Sequence, residues 1–426
     1  MSRRPDVGVT PGGLRVISEP IPGLRSVAIG AWIGVGSRFE RQSEAGISHF
    51  LEHMLFKGTP RYSPEEIAQA FDGLGGEVNA ATGKDYTVLY ARVIDELVDR
   101  ALPVLTDMLQ HPALTDLEQE REVVLEEIAM YEDDPQDQVH DLAGQAVFPD
   151  QALGRPVIGT AEVIGSVAEE GVRAYHRSHY TAPNMVLAAA GNVDHDRLTA
   201  LAEELLGDLS PDPDEGVFEP ARPGPPTLVV KEKPTEQYHI CLGGPGLSRN
   251  DPRRHAQSVL DTVLGGSMSS RLFQEVREKR GLAYSVGSYT VGYADTGQVG
   301  VYLGTREENL ATACEVVGRE LRRLAEEPVP EDELRRAKDH LKGRLVLGLE
   351  SSGTRMNRIG RALLSNTELL TVDELIERVE AVTAADVAAL ARGHWDPGRM
   401  SAAAIGPRGE AIRRALPLLA PELARA

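Results

Sequence analysis

Two histidines and a glutamate lie close together in the segment AGISHFLEHMLFKG. His49 and His53 are four residues apart, and Glu52 directly precedes the second histidine. Apolar residues at spacings of three, four and seven predict an amphipathic helix, so both imidazoles would lie on one face, one turn apart. Such a pair, with a third protein ligand, can bind zinc and leave a fourth position for water, whose proton a neighbouring carboxylate such as Glu52 can take. A histidine pair on a helix also occurs for packing alone, so the pattern by itself leaves both interpretations open.

The order His-x-x-Glu-His resembles the inverted zinc motif of the pitrilysin-type peptidases. The resemblance implies a distal glutamate as third zinc ligand, with a second glutamate two helical turns before it. Glu127 follows His53 by 74 residues, and Glu120 precedes Glu127 by seven. Two helical turns place both carboxylates on one face, so we expect Glu127 as third ligand and Glu120 as a supporting carboxylate. Spacing alone does not distinguish Glu127 from Glu126, and a solvated acidic helix is the alternative for this region.

A second match to this family is an arginine and a tyrosine in the segment REKRGLAY. Arg277 and Tyr284 are seven residues apart. The resemblance implies that Tyr284 donates a hydrogen bond to the substrate carbonyl oxygen as it becomes an oxyanion, and that Arg277 anchors the substrate backbone or supports the tyrosine. Without the resemblance, the same residues predict an arginine at a basic helix end and a strand tyrosine packed in the core.

The segment GEVNAAT, which begins at Gly76, resembles the edge strand beside the zinc in the same family. An extended peptide can add to such an edge through main-chain hydrogen bonds. The resemblance implies that Asn79 and Ala80 line the cleaved bond, with Ala80 leaving room for a substrate side chain. The alternative is that the asparagine and glycines here only shape a turn.

The elements around these residues indicate an α+β fold. The segments GGEVNAAT and DYTVLYARV are separated by Gly83-Lys84 and predict an antiparallel hairpin. GLAYSVGSYTV and GQVGVYLGT predict a counterpart in the second half of the chain. Hairpins with long helical blocks, without regular β-α-β alternation, are typical of α+β layers. We predict two similar lobes, each an antiparallel-rich mixed sheet with helices packed on it, as the resemblance to pitrilysin and processing peptidase also implies.

A proline-rich stretch predicts the boundary between domains. The chain has 426 residues, more than the ~250–300 at which a single core stops growing. Residues 211–226 contain six prolines, which forbid a continuing helix and favour an extended linker. We therefore predict a zinc-binding catalytic domain over residues 1–210 and a domain of similar fold, carrying the arginine–tyrosine pair, over residues 227–426.

Composition disfavours several classes of protein. Lys and Arg number 45 against 65 Asp and Glu, a formal net charge of −20, which argues against a nucleic-acid-binding surface. No segment approaches the ~18 apolar residues that cross a bilayer, and MSRRPDVGVT at the start lacks the apolar core of a secretory signal. The two cysteines, Cys241 and Cys314, suit a reducing compartment. We expect a cytoplasmic protein without nucleic-acid or membrane partners.

Together with the resemblance, these residues predict a zinc-dependent endopeptidase with one zinc ion per chain and Glu52 as general base. The family's closed chamber implies unfolded peptides or small proteins as substrates. Because relatives with a complete chamber carry more such domains, we expect a homodimer, or a heterodimer with a related subunit. Arg277 and Tyr284 of one protomer would then complete the zinc site of the other. The alternative is a non-catalytic structural or partner subunit of a processing-peptidase-like complex, although such subunits usually lack a zinc ligand.

Overall fold

The computed structural model describes residues 4–212, 216 and 218–424, which form two compact units. The first unit comprises Met1–Ala129, Pro156–Glu219 and Val346–Asp373, and the second comprises Met130–Arg155, Pro220–Leu345 and Glu374–Ala426. Each unit thus includes one segment from the opposite half of the chain. The predicted domains, residues 1–210 and 227–426, did not include this exchange of segments. Residues 213–215 and 217 of the predicted linker lie outside the described part of the chain.

Each unit has its own strands. Those of the first are β1 (Asp6–Val9), β2 (Arg15–Pro20), β3 (Ser26–Ile33), β4 (Glu77–Thr82), β5 (Thr87–Ile94) and β6 (Met185–Gly191). Those of the second are β7 (Leu228–Glu232), β8 (Tyr238–Gly246), β9 (Ala283–Gly292), β10 (Gly297–Thr305) and β11 (Ser401–Gly406). Across the described residues, the first sheet has the strand order β1-β2-β6-β3-β5-β4 and the second has the order β7-β11-β8-β10-β9.

Helices surround both sheets. In the first half of the chain they are α1 (Ile47–Met54), α2 (Pro64–Gly73), α3 (Val98–Gln110), α4 (Leu117–Asp133), α5 (Pro135–Val147), α6 (Ala161–Ser166), α7 (Glu169–His179) and α8 (His195–Leu206). In the second half they are α9 (Arg254–Leu264), α10 (Glu307–Glu326), α11 (Glu331–Gly348), α12 (Ser352–Leu364), α13 (Val372–Glu380), α14 (Ala384–His394) and α15 (Gly409–Leu419). A π-helical turn, Phe273–Glu278, precedes β9.

The two sheets share one pairing pattern. β2 runs parallel to β6, as β7 does to β11. The remaining strands of this shared pattern pair antiparallel, in the series β6-β3-β5-β4 and β11-β8-β10-β9. Among the described strands, β1 is an addition to the first sheet, paired antiparallel with β2. The predicted α+β fold, with two similar lobes built on antiparallel-rich mixed sheets, is confirmed.

The central strand β3 of the first sheet is buried on both faces. Val27, Ile29 and Ile33 belong to the main core of the unit, whereas Ala28 and Trp32 belong to a second core on the opposite face. This alternation is the period of two that a strand imposes on its side chains. Because both faces are covered, β3 is apolar along almost its whole length.

The second face of that sheet is covered by α12, a helix from the C-terminal half of the chain. Met356 and Ile359 lie in the apolar core that α12 forms with β3 and β6. The buried carboxylate of Glu19 on β2 accepts hydrogen bonds from Arg355 and Arg358 at 2.5 and 2.9 Å. A buried charge requires such partners, so polar as well as apolar contacts hold the exchanged helix. In the second unit, α5 covers β8 and β11 in a corresponding way.

The predicted hairpin places β4 next to the histidine helix. Thr82 pairs with Thr87, and the Gly83 N–H donates to the carbonyl of Tyr86 at 2.8 Å, closing the turn between β4 and β5. Helix α1 packs against β4. None of the described helices combines the length and the continuous apolar composition needed to cross a lipid bilayer.

Candidate metal centre

Helix α1 buries its apolar side chains and leaves three of its polar side chains partly exposed. Its buried apolar side chains belong to the core of the first unit and are Ile47, Phe50, Leu51 and Met54. His49, Glu52 and His53 are only partly buried on the other side of the helix. Because the apolar face is fixed against the sheet, the two imidazoles are held one turn apart.

The start of α1 is held by Glu40, a residue that the sequence analysis did not identify. Its buried carboxylate accepts hydrogen bonds from the backbone N–H groups of Gly46 and Ser48 at 2.7 and 2.9 Å. Gly46 has a φ of 98°, in the left-handed region that favours glycine. An anion at this end satisfies otherwise unpaired N–H groups and interacts favourably with the helix dipole. Glu40 therefore fixes the helix directly before His49.

Helix α4 places Glu127 beside the two histidines. Val124 and Ile128 of α4 are buried in the core, which sets the rotation of the helix about its axis. Glu127 Oε1 lies 3.9 Å from His49 Nε2, and Glu127 Oε2 lies 3.4 Å from His53 Nε2. The neighbouring Glu126 is exposed. The rotation of α4 about its axis therefore distinguishes Glu127 from Glu126, which spacing alone could not do.

The three side chains fit a zinc ion. Among the described residues, His49, His53 and Glu127 are the one group of three His, Cys, Asp or Glu whose donor atoms lie within 4.8 Å of one another. Two ligands at ~2.0–2.2 Å from one tetrahedral zinc ion stand roughly 3.4 Å apart. The observed separations of 3.4 and 3.9 Å are close to that value. Two imidazoles and one carboxylate are also a donor set that suits zinc.

The rings of His49 and His53 are held in different ways. Burial, reinforced by the neighbouring His53, lowers the pKa of His49 to about 4, which keeps its ring neutral near neutral pH. Its Nδ1 is buried and has no hydrogen-bond partner within the described part of the chain. His53 Nδ1 lies 2.8 Å from Oε1 of the buried Glu120. When Nδ1–H donates to this carboxylate, the lone pair of Nε2 is left free on the side of Glu127.

The carboxylate of Glu52 is held by Thr82, the last residue of β4. The Thr82 hydroxyl donates a hydrogen bond to Glu52 Oε2. Burial raises the pKa of Glu52, and the hydrogen bond from Thr82 opposes that rise. A carboxylate whose pKa is raised toward neutrality is a better proton acceptor than an ordinary glutamate. Thr82 ends the segment GEVNAAT, which the resemblance placed beside the zinc, but no sequence pattern predicted its contact with Glu52.

Strand β4 carries Asn79 and Ala80 along the edge of its sheet. Among the described strands β4 pairs with β5 alone, so its outer edge offers unpaired main-chain groups. Asn79 is exposed, and its Oδ1 accepts a hydrogen bond from the Ala80 N–H at 2.8 Å. The Ala80 side chain is buried in the core. The part of both residues in substrate binding stays a prediction.

Arg277 and Tyr284 contact each other in the second unit. Arg277 lies in the π-helical turn, and Tyr284, at the start of the edge strand β9, is 77% exposed. The Arg277 guanidinium lies 4.3 Å from the centre of the Tyr284 ring and 4.7 Å from that of Phe273. Its Nη1 also donates to the Tyr284 carbonyl at 3.3 Å. Without the resemblance, the sequence pattern predicts a tyrosine packed in the core. The exposed phenol of Tyr284 differs from that prediction.

Comparisons with known proteins point to one group of peptidases. A family model described as Insulinase (Peptidase family M16) matches residues 15–161, and one described as Peptidase M16 inactive domain matches residues 166–341. An uncharacterized zinc protease of Streptomyces coelicolor is 46% identical over 410 residues, covering 93% of this chain and 88% of that protein. An uncharacterized zinc protease of Bacillus subtilis is 43% identical over 383 residues, covering 89% of this chain and 93% of that protein.

Two solved structures share the fold. A protease from Helicobacter pylori matches with a TM-score of 0.89 at 21% identity, covering 96% of this chain and 100% of that one. A peptidase M16 inactive domain from Pseudomonas fluorescens matches with a TM-score of 0.86 at 23% identity, covering 95% and 98%. At sequence identities of 21% and 23%, these two matches show a shared fold and nothing further.

Proposed function

The chain belongs to the insulinase family of peptidases, family M16, the pitrilysin-type group that its motif resembles, and we propose that it is a zinc-dependent endopeptidase. The observation that carries the proposal is the convergence of His49, His53 and Glu127 on one metal-binding position. The relatives named zinc proteases support the same activity.

His49, His53 and Glu127 would hold one zinc ion per chain. When bound, zinc polarises a substrate carbonyl and lowers the pKa of water, so that a strong nucleophile forms at neutral pH. The imidazole of His49 contributes as a neutral ring because burial lowers its pKa. Glu120 contributes by accepting a hydrogen bond from His53 Nδ1–H, which sets the tautomer in which Nε2 can bind.

Glu52 is the proposed general base. It lies on the same helix as both histidines, and Thr82 orients its carboxylate from β4. Glu52 would accept a proton from the attacking water and deliver it to the departing amine once the peptide bond breaks. Burial supports this task, since it raises the pKa of Glu52.

The proposed substrates are unfolded peptides or small proteins enclosed in a chamber. The free edge of β4 can accept an extended peptide as a further strand, and a folded segment cannot offer its main chain in this way. The strand passes from Asn79 to Thr82, whose hydroxyl contacts Glu52. A peptide bound along β4 would therefore run close to the proposed base. The cytoplasmic location stays a prediction.

The direct test is hydrolysis of a quenched fluorescent peptide by the purified chain alone. We expect hydrolysis that a chelator abolishes and that added zinc restores, because the metal is required for the reaction. Calcium added in place of zinc is the control, since it prefers a larger set of oxygen ligands. Hydrolysis that continues at full rate after zinc has been removed, with the metal content measured, would contradict the proposal.

The second candidate function is a non-catalytic structural or partner subunit. It is favoured by the description of the model that matches residues 166–341, Peptidase M16 inactive domain. The proposed zinc ligands lie outside that region, in the part that the insulinase model matches. A chain that binds zinc but hydrolyses peptide only with a related subunit would be one half of a heterodimer. A chain that never hydrolyses peptide would support the non-catalytic function.

Arg277 and Tyr284 are proposed to bind the substrate, with the Tyr284 phenol as donor to the developing oxyanion. The exposed ring and the stacked guanidinium beside it suit that role. We expect Tyr284→Phe to lower kcat by about 10²-fold, the loss typical of one oxyanion donor, with KM changed little. Steady-state kinetics test this, and Tyr90→Phe is the control because Tyr90 borders the α12 face of the first sheet.

A homodimer in which these two residues serve the partner protomer's zinc site is proposed from the resemblance. Mixing Glu52→Gln chains with Tyr284→Phe chains tests the sharing. If each site takes its base from one protomer and its phenol from the other, mixed dimers contain one intact site and recover activity. Absence of recovery in mixed dimers, isolated by two different affinity tags, would show that the residues act within one chain.

A further inference from the structure

Lys57 lies one helical turn beyond His53, just past the end of α1, and contacts the carboxylate that supports this histidine. Its Nζ lies 2.5 Å from Glu120 Oε2. The other oxygen of the same carboxylate, Oε1, lies 2.8 Å from His53 Nδ1. A single carboxylate thus connects an ammonium group to the imidazole whose Nε2 faces Glu127.

Lys57 is the positive group that faces the buried Glu120 carboxylate, as an ion pair and not as a hydrogen bond of good geometry. The Glu120 side chain is only 5% exposed, whereas that of Lys57 is 32% exposed. A carboxylate removed from water is costly unless a positive group and hydrogen bonds compensate it. While Lys57 contacts Oε2, Oε1 is directed at His53. Without Lys57, the carboxylate would gain solvation free energy by turning toward water.

The two histidines differ in whether Nδ1 of the ring has a hydrogen-bond partner. His49 Nδ1 has no hydrogen-bond partner among the described residues, so no hydrogen bond on that side of the ring orients it. His53, nearer the end of α1, has the Glu120 contact. The orientation of His53 therefore rests on a polar network, and Lys57 is the outer member of that network.

We propose that Lys57 is a positioning residue for the metal: through Glu120 it fixes the His53 ring with Nε2 directed at the shared binding position. The inference rests on the proposed zinc site and deepens it. Within the described part of the chain, the side chain of Lys57 contacts Glu120 and none of the three proposed ligands. Its effect should therefore appear first in zinc affinity, and in catalysis only through the amount of zinc bound.

The test is the zinc dissociation constant, measured by competition with a chromophoric chelator. Lys57→Met keeps the length of the side chain but removes the charge, and we expect affinity to fall by about 10-fold, within the range known for outer-shell partners. Lys57→Arg keeps the charge and should recover most of that loss. Lys231→Met is the control, because Lys231 lies on β7 of the second unit. At saturating zinc, kcat of the Lys57 variants should approach the wild-type value.

A double-mutant cycle with Glu120→Gln tests whether Lys57 acts through the carboxylate. If it does, Lys57→Met should change zinc affinity little once Glu120 is already glutamine. Thermal unfolding of the metal-free chains checks that each variant folds, and Lys57→Gln replaces Lys57→Met if the latter does not. Wild-type zinc affinity in a folded Lys57 variant, or an undiminished loss in the Glu120→Gln background, would overturn the inference. Failure of the proposed function would appear separately, as wild-type protein that binds no zinc or hydrolyses no peptide.

Discussion

Replacing Glu52 by glutamine is expected to lower kcat for peptide hydrolysis by at least about 10²-fold, the usual scale of a general base. Glutamine preserves the size of the side chain, and its amide oxygen can still accept the hydrogen bond that Thr82 donates. The amide cannot take a proton from water, so the step assigned to Glu52 is lost. Because Glu52 is not one of the three proposed ligands, the zinc content should equal that of the wild type.

The measurement pairs steady-state kinetics on a quenched fluorescent peptide with elemental analysis of zinc on the same preparation. Glu65→Gln is a suitable control, because Glu65 is an exposed glutamate in the first turn of α2. It makes the same chemical change outside the proposed site. Near-normal turnover in Glu52→Gln, with zinc confirmed, would refute the role of Glu52.

His53→Ala is expected to abolish stoichiometric zinc binding and, with it, peptidase activity. The histidines lie on α1 and Glu127 lies on α4, so a bound ion would join two helices and stabilise the folded chain. With free zinc at 100 times its dissociation constant, the wild type should gain about 2.7 kcal/mol in free energy of unfolding. The variant should gain almost nothing.

Thermal unfolding with and without zinc measures this difference. His111→Ala is the control, since His111 is an exposed histidine after the end of α3. A zinc-dependent rise in Tm as large in His53→Ala as in the wild type would contradict the assignment of His53. A rise lost in both histidine variants would show that the loss in His53→Ala is not specific to the proposed site.

Local patterns predicted the elements better than the way in which they assemble. The amphipathic spacing predicted α1, and the turn at Gly83-Lys84 predicted the hairpin of β4 and β5. The exchange of α5 and α12 between the halves could not be predicted. An apolar helix face must be buried, but the pattern does not say which sheet buries it. Buried ion pairs such as that of Glu19 with Arg355 join residues far apart in sequence and leave no local signal.

At the candidate site, too, local patterns predicted the elements better than the contacts between them. The spacing of His49 and His53 indicated a metal site, because a helix converts four residues into one turn. The choice of Glu127 over Glu126 required the resemblance, since it depends on how α4 is rotated against the core. Thr82 and Lys57 were missed, because each meets its partner only through the tertiary fold.

The central claim is that one zinc ion is held by two neighbouring imidazoles and a carboxylate from α4. Elemental analysis after dialysis, on wild type, His53→Ala, Glu127→Gln and Glu126→Gln prepared side by side, tests it most directly. We predict one zinc ion per chain in the wild type and in Glu126→Gln, and almost none in His53→Ala and Glu127→Gln. Wild-type protein without zinc, or equal zinc in all four proteins, would contradict the claim.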